Sequence, residues 1–166
     1  QFGLLTLSDL RKAIIALSSH AKDQVFRDIF TYRFSRGDGL KGHTLGNLIM
    51  VGLSEITGSE IGAIEGVQQI FDIKGKILPV TLDDVRLVAK YTDGSEVTGE
   101  HFIDEPEEDK QIEQLRLNSN AKAYEGAVEA ILKSKYVIIG PGDLYTSVIA
   151  NIIVPGISEA LQKTKG

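Results

Sequence analysis

The chain has 166 residues, 42% hydrophobic and 25% charged, an ordinary globular composition that fits one domain with a real core. A net charge of −5 does not favour nucleic acid or anionic membrane as a partner, and the lack of cysteine excludes disulfides and thiolate–zinc sites. No apolar run approaches the ~20 residues needed to span a bilayer, so the chain reads as soluble and cytoplasmic, although a start at Gln1 without Met would hide any N-terminal signal.

Ser8 can cap a helix running to about Ser19, with Leu10, Ile14 and Leu17 on one face. A second helix is expected over Lys22 to Tyr32, with Val25, Phe26, Ile29 and Phe30 facing inward. Ser35 to His43 holds three glycines in six residues and reads as a loop with positive φ at one or more of them. Thr44 to Thr57 has the cleanest helical period, with Leu45, Leu48, Ile49, Gly52, Leu53 and Ile56 on one stripe and Gly58 as its C-terminal stop. A further helix follows over Glu60 to Phe71.

The period then changes to two. Val85, Leu87, Ala89 and Tyr91 alternate with Arg86, Val88 and Lys90, Thr92–Ser95 is a hairpin turn, and Glu96 to His101 is the return strand. Asp104 to Asp109 is an acidic loop, Gln111 to Leu117 a further strand, and Lys122 to Ser134 a helix. Tyr136 to Ile139 is wholly apolar and reads as a strand buried on both faces, followed by the Gly140-Pro141-Gly142 turn, a helix opened by Thr146 and Ser147, and a last helix begun by Pro155. Such a strand needs parallel neighbours, and no second run like it occurs. The neighbours are therefore expected in residues beyond these, or in a partner chain.

Two segments could carry chemistry. Gly140 to Ser147 sets a glycine turn before a helix start, where N–H groups and the Thr146 and Ser147 hydroxyls can hold a phosphate. The same residues equally describe a plain strand-to-helix turn, and Asp143 beside a phosphate would repel it unless a cation such as Mg²⁺ lay between. Gly37 to Asn47 also ends at a helix start, with His43 and Asn47 one turn apart, while its bland reading is a capped loop. Arg33 and Arg36 could pair with phosphate or simply be solvated. Asp9 at the first helix start is explained by the helix dipole alone. No cysteine nucleophile, no metal-type spacing among His20, His43 and His101 and no G-x-S-x-G elbow is present.

Phe30 to Leu48, Gly75 to Leu82, Ile139 to Ser147 and Asn151 to Ile157, in that order, resemble the YvcK-like, CofD-related family. The resemblance covers nearly the whole chain. It implies a Rossmann-like α/β three-layer sandwich with a mainly parallel sheet and a nucleotide site at its strand ends. Residues 1–166 then form a single but partial domain with a β-rich excursion at 85–117. The nucleotide or phosphate contacts carried over are Gly42, His43, Gly46 and Asn47, then Gly140, Pro141, Gly142, Tyr145, Thr146, Ser147 and Asn151. Asp9 and Arg11 match part of another motif, whereas Asp143 stands where the family has Ser and Ala150 where it has Pro. The family's Gly-Gly-Gly-Thr-Gly and Asp-Asp-Gly-Gly segments do not occur in these residues. The leading function implied is a bacterial UDP-sugar-binding regulator of carbon use and cell shape, a gluconeogenesis factor performing no chemistry on its ligand. The alternative is a transferase that moves a phospholactate unit onto a deazaflavin precursor, with Asp143, Asp38 and Asp9 available to Mg²⁺. A third reading is a site silenced by Asp143. A homodimer is left open.

Overall fold

The computed structural model describes residues 7–19, 23–105 and 110–166, with the side chains of 7–9 left aside. The chain divides into two compact units, Gln1–Leu78 and Pro79–Gly166.

The first unit is helical: α1 (Leu7–Leu17), α2 (Gln24–Thr31), α3 (Leu45–Thr57) and α4 (Glu60–Ile70). Each start after the first is fixed by a side chain that occupies an otherwise unpaired N–H. Asp23 Oδ1 accepts from the Val25 N–H (2.9 Å), Thr44 Oγ1 from Asn47 (3.3 Å) and Ser59 Oγ from Gly62 (3.0 Å). Gly58, left-handed at φ 72°, ends α3 as expected, its N–H donating to the Ser54 carbonyl. The core gathers Ile14, Phe26, Phe30, Met50, Ile64 and Val67. Phe30 is fully buried and meets Phe71 edge-on at 4.5 Å between ring centres.

Two helix faces differ from the periodic reading. On α2, Phe26 and Phe30 are buried, but Val25 is 67% and Ile29 40% exposed. On α3 the buried pair is Gly46 and Met50, while Ile56 is 81% exposed. α3 is apolar nearly all round, so spacing alone selects no face, and packing against α2 and α4 decides it.

The second unit contains a three-stranded antiparallel sheet in the order β2-β1-β3, built from β1 (Leu87–Tyr91), β2 (Glu96–Thr98) and β3 (Ile112–Leu117). Among the described residues this is the whole sheet, so the mainly parallel sheet expected above is corrected to a small antiparallel one within a mixed α/β chain. The hairpin is as anticipated, and its register sets Ala89 opposite Val97 and Leu115. The return strand is shorter, because Gly99 at φ 107° turns the chain into α5 (Glu100–Asp104) before His101. Val88, expected to face out, is 3% exposed, so both faces of β1 are covered. Of the acidic loop, residues 106–109 lie outside the described residues.

The run Tyr136 to Ile139 is not a strand. It follows α6 (Glu125–Lys133) as irregular chain, with Tyr136 84% and Ile138 88% exposed. The physical reason is the one its composition implies: a strand exists only with hydrogen-bonded neighbours, and none is present among the described residues. The helix after the glycine turn opens earlier than Thr146. Leu144–Ile149 is a π-helical turn in which Asp143 O accepts from Val148 N–H (2.9 Å), leading into α7 (Ala150–Ile152). Pro155 does not open the last helix, α8 (Ile157–Lys163); Gly156 caps it, donating its N–H to Glu159 Oε2 (2.8 Å). Among the described residues no single helix is long and apolar enough to cross a membrane.

The hairpin turn yields a pH prediction. Asp93 accepts from the Ser95 hydroxyl (2.6 Å) and Ser95 N–H (2.8 Å), and Lys110 Nζ lies 3.0 Å away. These bonds, Ser95 first, hold its carboxyl down at about 2 against an ordinary 3.8. A lowered carboxyl favours the folded turn above the ordinary value, and that support is lost as pH falls through the folded value. The Asp93 carboxyl carbon should therefore titrate near pH 2 by NMR, and Ser95→Ala should move the midpoint upward.

Candidate functional site

The first unit carries the site's best-formed part, at the start of α3. Phe34 and Gly42 close the glycine loop through Gly42 N–H to Phe34 O (2.9 Å) and Phe34 N–H to His43 O (3.0 Å). Gly37, Gly39 and Gly42 all take positive φ (99°, 78° and 89°), as the glycine density predicts. The Arg33 guanidinium donates to the Gly42 carbonyl, which pins the loop's end. Arg33 is thereby given a structural task, and His43 is exposed.

Behind the loop, Thr44 joins a side chain to a backbone amide. Its Oγ1 accepts from Arg11 Nη1 at 3.3 Å and from the Asn47 N–H at 3.3 Å. Gly46 lets these approach: a Cβ there would lie 2.8 Å from the Phe30 carbonyl oxygen and 3.5 Å from Arg11 Cδ. Asn47 Oδ1 is buried and has no hydrogen-bond partner among the described residues. A buried carbonyl left unpaired costs about 1–3 kcal/mol and calls for an explanation. A guanidinium bonded to the cap, a helix N-terminus and an unpaired amide thus occur at one helix start, which suits an anionic ligand that also offers an N–H or O–H. Thr44, which the sequence shows only as a cap, is the joint that holds Arg11 to Asn47. Its pairing with Arg11 lies 33 residues away in sequence and leaves no local signal. The Asp9 side chain lies outside the described residues.

In the second unit, Gly140 to Ser147 is exposed up to Tyr145 and then turns inward. Gly140 and Gly142 have positive φ (99° and 156°), and the Gly140–Pro141 peptide is cis. A Cβ on Gly142 would sit 2.7 Å from Ser147 Cβ, so only glycine lets the turn fold over the helical start. Thr146 is 6% exposed and its hydroxyl donates to Asp104 Oδ1 at 2.6 Å. The Ser147 N–H donates to Asp143 O (3.0 Å), and Asn151 Nδ2 donates to Ser147 O. Asp143 itself is exposed. Asp143 and Asp38 belong to different units, and among the described residues no three His, Cys, Asp or Glu side chains gather as a metal centre would need.

Residues 1–166 match the family described as 2-phospho-L-lactate transferase CofD. The chain belongs to the CofD family. Among its relatives in this family, a gluconeogenesis factor of Halalkalibacterium halodurans is 38% identical over 157 residues, covering 94% of this chain and 48% of that protein. A Thermotoga maritima relative is 42% identical over 158 residues, 95% of this chain and 48% of its own length. A crystal structure of a UPF0052 family member from Bacillus halodurans superposes with a TM-score of 0.87 at 37% identity, covering 96% of this chain and 50% of that one. The chain spans about half the length of these CofD-family relatives.

Proposed function

We propose that the chain belongs to a UDP-sugar-binding regulator of bacterial carbon metabolism and cell shape, working in the cytoplasm. The observation that carries this reading is the unpaired, buried side-chain carbonyl of Asn47 at the start of α3, where Arg11 bonds the capping Thr44. A uridine diphosphate supplies both things that locality lacks: negative charge for the guanidinium and helix start, and an N–H donor for the amide oxygen. The glycine turn at Gly140–Gly142 supports it as a second segment of the kind that phosphates approach. The name carried by the Halalkalibacterium halodurans relative also supports it.

A transferase reading has one observation in its favour, the description of the matching family. Phosphoryl-group chemistry depends mainly on positioning and charge neutralisation, so it requires no nucleophile from these residues. In that reading Asp143 would share a Mg²⁺ with the ligand's own phosphate oxygens.

Calorimetric titration of the full-length protein tests the choice. UDP-N-acetylglucosamine is expected to bind and GDP not to compete. Asn47→Ala should weaken UDP-N-acetylglucosamine roughly tenfold, the worth of one hydrogen bond to a group otherwise left unpaired. Tight GDP binding with no response to the UDP-sugar would favour the transferase.

A further inference from the structure

The second unit holds a cleft of about 520 Å³, within the roughly 300–1,000 Å³ usual for small-molecule sites. Ile103 and Ile112 form its apolar wall, Tyr91 and Tyr145 its aromatic sides, and Asp104 and Lys110 its charged rim. Tyr91 is only 2% exposed, yet its hydroxyl is buried without a partner among the described residues. Buried phenols nearly always find a partner, because leaving one unpaired is costly. Removing this hydroxyl should therefore not harm the fold.

The charges at the rim decide the ligand's class. Lys110 Nζ is matched by Asp93 Oδ2 at 3.0 Å, bonds Ser95 Oγ at 3.1 Å and sits 5.7 Å from the Tyr91 ring centre. Among the described residues Asp104 accepts one hydrogen bond, from Thr146, and has no ion-pair partner, which leaves a carboxylate with further lone pairs. An anion is disfavoured there. A carboxylate only accepts, an ammonium only donates, and a phenol does both. A ligand hydroxyl can serve all three, and the isoleucine and tyrosine walls suit the C–H face of a ring that carries such hydroxyls.

We propose that this cleft is a site for a neutral polyhydroxylated ring, a hexose or its N-acetyl derivative, with the Tyr91 hydroxyl as its buried anchor. Tyr145 belongs both to this cleft and to the segment assigned to the nucleotide, but the proposal rests on the cleft and the Tyr91 hydroxyl and survives if no UDP-sugar binds. Glucose, N-acetylglucosamine and inorganic phosphate would each be titrated into the methyl-labelled full-length protein. At least one sugar is expected to shift the Ile103 and Ile112 methyl signals in the millimolar range, and phosphate to leave them in place. Tyr91→Phe should melt no lower than the parent and bind that sugar roughly tenfold more weakly. Three results would each overturn the proposal: no shift with either sugar, an equal shift with phosphate, or a clear drop in melting temperature for Tyr91→Phe.

Discussion

Phe30→Ala is expected to remove about 3–5 kcal/mol of stability, the cost of deleting a large aromatic side chain from a packed core. Phe30 has no exposed surface and is held between Phe26, 5.3 Å away, and Phe71, at 4.5 Å in an edge-on contact. Such aromatic pairs contribute about 0.5–1.5 kcal/mol beyond the area they bury. Domains of ordinary stability hold only about 5–15 kcal/mol in total, so the substitution leaves the first unit close to unfolding. Val25→Ala on the same helix is the control. Val25 is 67% exposed, and such surface changes usually stay within about 0.5 kcal/mol. Urea unfolding followed by circular dichroism separates the two. A Phe30→Ala loss no larger than that of Val25→Ala would mean that the aromatic cluster is not the core of this unit.

A second large effect is expected at Gly46. The would-be Cβ lies 2.8 Å from the Phe30 carbonyl oxygen and 3.0 Å from Phe30 Cδ1, so backbone has to move. Gly46→Val should cost about 3 kcal/mol, the upper part of the usual range for overpacking. It should also displace Arg11, whose Cδ is 3.5 Å from the same point, and so disturb the Thr44 junction. Gly52 lies in the same helix with nothing within 4 Å of its would-be Cβ. There the entropic advantage of alanine is unopposed, and Gly52→Ala should stabilise by about 0.5–1 kcal/mol. The opposite signs within one helix distinguish close packing from helix propensity; a gain at both positions would show that Gly46 is not a contact point.

What could be read from the sequence was local. Thr44 caps α3 through an N–H group three residues away, Gly58 ends it, and Gly94 turns the hairpin within four residues. These features need no distant partner. The failures share the opposite property. Tyr136 to Ile139 has strand composition, but a strand is made by its neighbours, and the irregular, exposed run shows what four apolar residues do without them. The buried stripe of α3 fell on Gly46 and Met50 because neighbouring helices, not spacing, chose it. The two candidate segments were visible as glycine clusters before helix starts. Neither Arg11 meeting Thr44 nor Tyr91 and Tyr145 sharing a cleft leaves any trace in local spacing.

Ligand binding at the start of α3 is the central claim, and residue-resolved NMR tests it most directly. UDP-N-acetylglucosamine added to isotope-labelled full-length protein should shift the Asn47 side-chain amide, the Thr44 and Asn47 backbone amides and the Arg11 guanidinium signals together. Saturating ligand that leaves all four unmoved would contradict the account.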